Sequence, residues 1–347
     1  MAWGTPNRER RVLKAGHSSI AVTLPKPWAE AMNLRPGDLV VFDQNDDGAL
    51  SLKPAPVPGV TAAGAPFLVQ ARAFDTPGVL ERLIVGAYRV GHDAIEVRAD
   101  VPLAPDRVEE VLGAARGLLG VSVVAQESNR MVLQNFIDPS KYGLPQLVQR
   151  MKMILIAFLE EMESAVQKPT RGRRLATLEE EGNKVLALLV RQLFLASRDW
   201  ALARRIGSPD PRQLLEWRVA VYALEELAQL FAGALGALYR ESARLPADVR
   251  DSLAGYLPEM KGHLKSVVDA LMHPSLDHAC EVYHQSSGFG ETVAALGAKG
   301  RRNGLSASAR STIQWVPQSA GCLALLAELA IDRAVASGSE TVLIEAA

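Results

Sequence analysis

Cysteine is scarce in this chain. Cys280 and Cys322 are the two present in 347 residues, and they are too far apart for a CxxC pair. That excludes a disulfide framework and a cysteine-built zinc site, and it makes a reducing, cytoplasmic compartment the expected location. Long apolar runs are lacking too. The most apolar windows, Met153 to Phe158 and Cys322 to Ile331, fall well short of the ~20 residues that cross a bilayer, so no membrane insertion is expected. The charged N-terminus has no apolar segment of the secretory kind, which argues against export. There is no Gly-rich phosphate loop, no nucleophile elbow and no grouping of His, Asp and Cys beyond one helix, so enzyme activity is not expected. Net charge is also near zero, with 38 Lys and Arg against 39 Asp and Glu. What remains is a globular composition, 48% hydrophobic and 22% charged, on a chain long enough for two or three domains.

Against that neutral background the first residues stand out. Through Pro27 the chain carries Arg8, Arg10, Arg11, Lys14 and Lys26 against Glu9 alone, a local cationic excess of the kind that neutralises phosphates and releases counterions. Ile20, Val22 and Leu24 alternate with Ala21 and Thr23, the period of a half-buried strand that stops at Pro25. A short helix follows from Pro27 to Met32, since Pro is tolerated at a helix start. Arg35-Pro36-Gly37-Asp38 reads as a turn, Leu39 to Phe42 as a strand, Asp46-Asp47-Gly48 as a hairpin connection, and Leu50 and Leu52 as a further strand. So small a β-unit has few apolar residues for a core, which favours a dimer or dependence on the rest of the chain.

The run Arg11-Val-Leu-Lys14-Ala-Gly16-His17-Ser18-Ser19-Ile20-Ala-Val-Thr-Leu24-Pro25-Lys26, followed by Leu34-Arg-Pro-Gly37-Asp38 and an apolar strand, resembles the AbrB/SpoVT/MazE-type family. The resemblance covers about one seventh of the chain. It implies a swapped-hairpin β-barrel that dimerises and binds DNA, with Arg10, Arg11, Lys14 and Lys26 on the DNA backbone and His17, Ser18 and Ser19 lining the nearby loop.

Pro54 to Pro66 is a Pro/Gly/Ala segment without periodicity, the composition of a linker. Beyond it the pattern predicts a strand from Phe67 to Ala73, a helix from Thr76 to Val90 opening at Thr76-Pro77, a strand from Ala94 to Arg98, a helix from Pro105 to Leu118 capped by Asp106, and strands Gly120 to Ala125 and Arg130 to Leu133. This is a βαβαββ unit, a small sheet covered by helices. Asp75 and His92 within it are isolated and read as structural. From Tyr142 onward the chain is helical in pattern, with breaks near 168–172, 207–211, 245–246, 273–275 and 303–304. In the first segment Leu144, Leu147, Met151, Ile154, Phe158 and Met162 recur at spacings of three and four, and in the second Val185, Leu188, Leu189, Gln192 and Leu195 form a similar row. The expected fold is therefore multidomain α+β, with an N-terminal barrel over residues 1–54, a linker over 55–66, an α/β segment over 67–138, and two three-helix bundles over 139–347.

The helical region, with Val190-Arg191-Gln192-Leu193 after an acidic helix start and Ala327-Glu328-Leu329-Ala330-Ile331-Asp332-Arg333-Ala334 near the end, resembles the PhoU family. The order of AbrB-like domain, α/β segment and six helices is similar to archaeal-type members. That resemblance implies a role in phosphate sensing and the control of phosphate uptake, through partners such as a transporter subunit or a sensor kinase. PhoU-like bundles carry carboxylates four apart that hold metal, but here Asn183 stands where the acid completing the pair with Glu179 would be, the segment corresponding to a Leu-Glu-Arg-Ile-x-Asp-type pattern reads Leu224-Glu225-Glu226-Leu227-Ala228-Gln229, and Gly321 stands where the last helix would carry an acid. A first-bundle metal cluster is not expected. Asp277, Glu281 and His284, at i, i+4 and i+7 with Cys280 beside them, are the one set whose spacing suits a metal ion. Three candidate ligands on one helix need a second helix, however, and a solvated helix face with Asp277 near the helix N-terminus and no metal is the favoured reading. The expected function is a dimeric DNA-binding regulator tied to phosphate status. The alternatives are an adaptor acting by protein contact and an antitoxin, the latter weakened by the large folded C-terminal region.

Overall fold

The computed structural model describes residues 10–16, 19–32, 34–44, 50–54, 66–71, 76–168, 174–300 and 310–337. The chain forms two compact units, Met1–Ala63 and Gly64–Ala347.

In the first unit, β1 (Leu13–Ala15) pairs antiparallel with β2 (Ser19–Ala21), and β3 (Val40–Gln44) pairs antiparallel with β4 (Leu50–Pro54). Between them lies the six-residue helix α1 (Lys26–Ala31). Pro25 at its N-cap and Pro27 in its first turn suit the start of a helix, where the missing N–H groups cost no bond. Arg35 to Asp38 is a tight turn closed from both sides: Asp38 N donates to the Arg35 carbonyl at 3.0 Å, and Arg35 N donates to Asp38 Oδ2 at 2.7 Å. Gly37 takes φ 101° there, a conformation that favours glycine. Two points differ from the sequence reading. Leu13–Ala15 is itself a strand, a short run hidden between basic residues. Within one chain, the four strands form two separate two-stranded sheets and not a closed barrel.

The second unit begins with β5 (Phe67–Gln70), α2 (Val79–Arg89), β6 (Ala94–Arg98), α3 (Pro105–Arg116), β7 (Val121–Gln126) and β8 (Arg130–Asn135). The sheet order is β5-β6-β8-β7, with β5 parallel to β6 and the other two pairings antiparallel. Leu80, Ile84 and Tyr88 of α2 and Val111 and Ala114 of α3 bury against Val97, Met131 and Leu133 of the sheet. Helix α2 starts later than expected because Gly78, at φ 84°, is its N-cap, which leaves Thr76-Pro77 in the preceding turn. Nor is Asp106 a cap: Ala104 holds that position, Pro105 opens the helix, and Asp106 lies in the first turn, where its charge meets the helix dipole.

Six long helices follow: α4 (Leu144–Gln167), α5 (Leu175–Ala196), α7 (Pro211–Glu241), α8 (Ala247–Met272), α9 (Leu276–Gly300) and α10 (Trp315–Ala336), with the short α6 (Trp200–Arg205) between α5 and α7. The break before α6 escaped the sequence reading. Asp199 makes it, accepting from the backbone N–H groups of Ala201 and Leu202. Pro317 sits in the first turn of α10, where it breaks no intrahelical bond.

Helices α4, α5 and α7 pack together, as do α8, α9 and α10, while α4 also meets α8 and α7 meets α10. One continuous core consequently runs from Leu144 to Ala334 in place of two separate ones. The cause is legible in α4: besides the expected stripe it buries Val148, Leu155 and Leu159, an apolar face wide enough for neighbours on two sides. The segment Arg212–Arg244 is long and apolar enough to span a bilayer by length and composition, and half of its apolar window is buried against other helices.

Helix α5 also carries the α/β layer. Ala187, Arg191 and Leu195 share one of its faces. Ala187 joins the sheet-side core, and Leu195 closes on Gly91, where an added Cβ would stand 2.7 Å from Leu195 Cδ2. Arg191 lies between them with 2% of its side chain exposed. It donates to the carbonyls of Tyr88 at 2.7 Å and His92 at 2.9 Å and to the Asp93 carboxylate, and its guanidinium lies 4.8 Å from the Tyr88 ring centroid. Burial lowers the Arg191 pKa while Asp93 opposes that shift, and burial pushes the Tyr88 hydroxyl up to about 12. His92, isolated in sequence, thus supplies a carbonyl to this latch, and its ring packs on Phe67 with centroids 4.6 Å apart. Asp75 lies outside the described residues.

Candidate nucleic-acid interface

Of the basic residues described in the first unit, Arg10, Arg11 and Lys14 lie in or just before β1 and Lys26 opens α1, while Arg35 and Lys53 stand in the later turn and in β4. Lys14 stands directly opposite Ile20 in the hairpin register, and Ala15 opposite Ser19. Arg10 and Arg11 lead into β1, and both are exposed, as are Lys14 and Ser19. Gly16 turns the chain at φ 76°. His17 and Ser18, expected beside it, lie outside the described residues. Lys26 opens α1 with 86% of its side chain exposed and makes one loose contact, 3.8 Å, with Glu30 four residues on. Such an exposed pair contributes little to stability and leaves the ammonium accessible to another anion. The hairpin therefore presents Arg11 and Lys14 close together along one short stretch of chain, and α1 presents Lys26.

Electrostatics is half of this surface. The other half is apolar and uncovered. None of the residues of the first unit whose burial is described is buried. Ile20 is 75% exposed, Leu39 78%, Phe42 64% and Leu50 66%. On the second hairpin Phe42 pairs across to Leu52, and Gln44 to Leu50, so Phe42, Leu50 and Leu52 share one face of the sheet. Burying a side chain of this size is worth about 1.5–3 kcal/mol. Within one chain the two small sheets leave these apolar groups exposed.

The carboxylates considered for metal stand elsewhere. Asp277, Cys280, Glu281 and His284 lie along α9, and Glu281 accepts a hydrogen bond from Gln285 at 3.2 Å. Among the described residues no group of three or more His, Cys, Asp or Glu side chains is placed to hold a metal ion. Glu179, Asn183, Glu225 and Gln229, by contrast, do come together, lining one hollow between α5 and α7. Glu225 is engaged there by Arg89, 3.2 Å away. The residue whose role the sequence hid is Arg191: part of a family likeness there, it is the bolt between two layers of the fold.

Residues 13–58 match a family described as antidote-toxin recognition MazE, bacterial antitoxin. The first unit thus holds a MazE/AbrB-type antitoxin-like domain, and the match ends before the sheet and helices of the second unit. No curated protein and no solved structure matches the chain.

Proposed function

We propose that this protein is a DNA-binding transcriptional regulator that dimerises through its first unit and grips DNA with Arg10, Arg11, Lys14 and Lys26. The observation that carries the reading is the pairing of an exposed cationic hairpin with an apolar face left uncovered in a unit that buries none of the residues whose burial is described. A second copy is the covering that a MazE/AbrB-type domain suggests, and two copies set two cationic hairpins against a roughly symmetric site. Ser19, at the start of β2, adds a hydroxyl beside Lys14 in the same hairpin. The helical region is the input end. Two mutually packed helical trios behind a DNA-binding end support the likeness to PhoU-type regulators, and with it a link to phosphate uptake. The protein acts in the cytoplasm and without catalysis.

A second reading, an adaptor that dimerises through the first unit and regulates a phosphate transporter or sensor kinase by contact, draws on one feature. Leu215, Val219 and Tyr222 on α7 are 73%, 40% and 53% exposed at i, i+4 and i+7, an apolar stripe facing outward.

The test is a gel-shift titration of the full chain with Arg11, Lys14 and Lys26 all changed to Ala. Affinity is expected to fall by about 10²-fold or more, and the slope of log affinity against log salt to shrink by roughly 0.9 for each phosphate no longer neutralised. Unchanged affinity would overturn the DNA-binding role, and absence of any DNA affinity in the parent chain would favour the adaptor.

A further inference from the structure

A cleft of about 720 Å³ opens between α2 and α3 on one side and α5 and α7 on the other. That volume is typical of small-molecule sites, which favour the seams between structural layers. Its charged lining is balanced, with Arg82 and Arg89 against Glu81 and Glu225. Arg89 and Glu225 meet at 3.2 Å with 27% and 19% of their side chains exposed, through a single guanidinium nitrogen. Arg89 Nε is buried and has no hydrogen-bond partner among the described residues. A guanidinium used through one of its donors retains the fork that takes a carboxylate side-on, and a buried donor without an acceptor costs about 1–3 kcal/mol.

The neutral wall restricts what can bind. A multiply charged anion such as inorganic phosphate would face Glu81 and Glu225, and Arg89 is already neutralised. A polycation would meet the two arginines. A molecule carrying one charge of each sign meets neither objection: its carboxylate lies on Arg89 and its ammonium on Glu225, in place of the one-point contact between them. Asn183 and Gln229, on the same wall, add amide donors and acceptors. The cleft shares Asn183, Glu225 and Gln229 with a further hollow of about 140 Å³ whose buried side is formed by Phe158, Leu178 and Leu186, with the exposed Glu179 also in its lining. Polar groups at the seam and an apolar floor of Phe158, Leu178 and Leu186 beside them describe a head and a tail.

We infer that this cleft binds a small zwitterion of the α-amino-acid class with an apolar side chain, its carboxylate on Arg89, its ammonium on Glu225 and its side chain in the recess at Phe158. Such a ligand bridges α2 to α7, and so ties the α/β layer to the helical body. The inference stands apart from the DNA-binding reading, because it concerns only the second unit and is read out without DNA.

Calorimetric titration and thermal unfolding of the full chain test it, with leucine, isoleucine, valine, methionine and phenylalanine as probes. Inorganic phosphate, isoamylamine and the hydroxy-acid analogue of leucine serve as the arms lacking one charge or carrying the wrong one. At least one of the amino acids is expected to bind one per chain and raise the Tm, with each other arm at least tenfold weaker. Arg89→Gln and Glu225→Gln should each weaken binding at least tenfold. Asn183→Trp, whose bulk fills the cleft without breaking the ion pair, should abolish it. Failure of all five amino acids to bind, binding that survives Asn183→Trp and the two charge variants, or phosphate binding as tightly as the amino acids would each overturn the proposal.

Discussion

The two units solve the problem of the core in opposite ways. The second encloses its own: Leu144, Val148, Met151, Leu155 and Leu159 of α4 alone are fully buried, and a single apolar body extends from there through α10. The first encloses none of the residues whose burial is described, and leaves Ile20, Phe42 and Leu50 in water. A chain whose larger part is so thoroughly packed does not leave apolar sheets exposed for want of hydrophobic residues. The difference is what the proposed dimer accounts for: if a second copy completes the first unit, its stability is tied to protein concentration while that of the second is not.

The largest effect that separates the two is expected from Phe42→Asp combined with Leu50→Asp. Charges placed on the shared apolar face should abolish assembly and reduce DNA affinity by about 10²-fold or more, because a single hairpin then neutralises half as many phosphates. Far-ultraviolet circular dichroism and the main thermal transition, which report the helices, should hardly move. A collapse of that transition would show that the units depend on one another.

Arg191→Ala should do the reverse. It strips the bonds to Tyr88, His92 and Asp93 that fasten the α/β layer to α5, leaving the Tyr88 carbonyl only its bond from the Gly91 N–H and the His92 carbonyl without the guanidinium. A loss of about 2–4 kcal/mol is expected in denaturant unfolding, with DNA affinity per folded dimer unchanged. Loss of DNA binding in proportion would show that the second unit shapes the first.

The smallest effect is one of pH. Burial holds the His263 pKa below its ordinary 6.5, and Ser286 Oγ lies 2.8 Å from His263 Nε2 between α8 and α9. The unfolded chain protonates this histidine before the folded one does, so its contribution to stability is present above about pH 6.5 and declines as pH falls below that value. His263→Gln should flatten that part of the stability curve for the helices and leave the pH dependence of assembly alone. A curve identical to that of the parent would exclude His263 as its source.

Sequence reading reached different depths in the two regions for physical reasons. The stripe of α4 was plain because every third or fourth residue is apolar over 24 residues. The βαβαββ order was plain because strand and helix periods alternate cleanly. The union of the trios was hidden, since it depends on the width of apolar faces and not on their period, and α5 in particular is buried from Val185 through Leu193 because it has neighbours on both sides. Strand Leu13–Ala15 was hidden by the lysine in its middle. At the candidate interface the basic residues could be identified by charge alone, but their relation to one another came only from the register that sets Lys14 against Ile20. The carboxylates of α9 had ligand spacing, yet spacing on one helix does not bring a second helix to meet it.

Sedimentation equilibrium of the full chain beside the Phe42→Asp, Leu50→Asp variant tests the central claim most directly. The account predicts a parent species of twice 37.4 kDa that becomes a folded monomer in the variant. A monomeric parent, or a variant as dimeric as its parent, would contradict it.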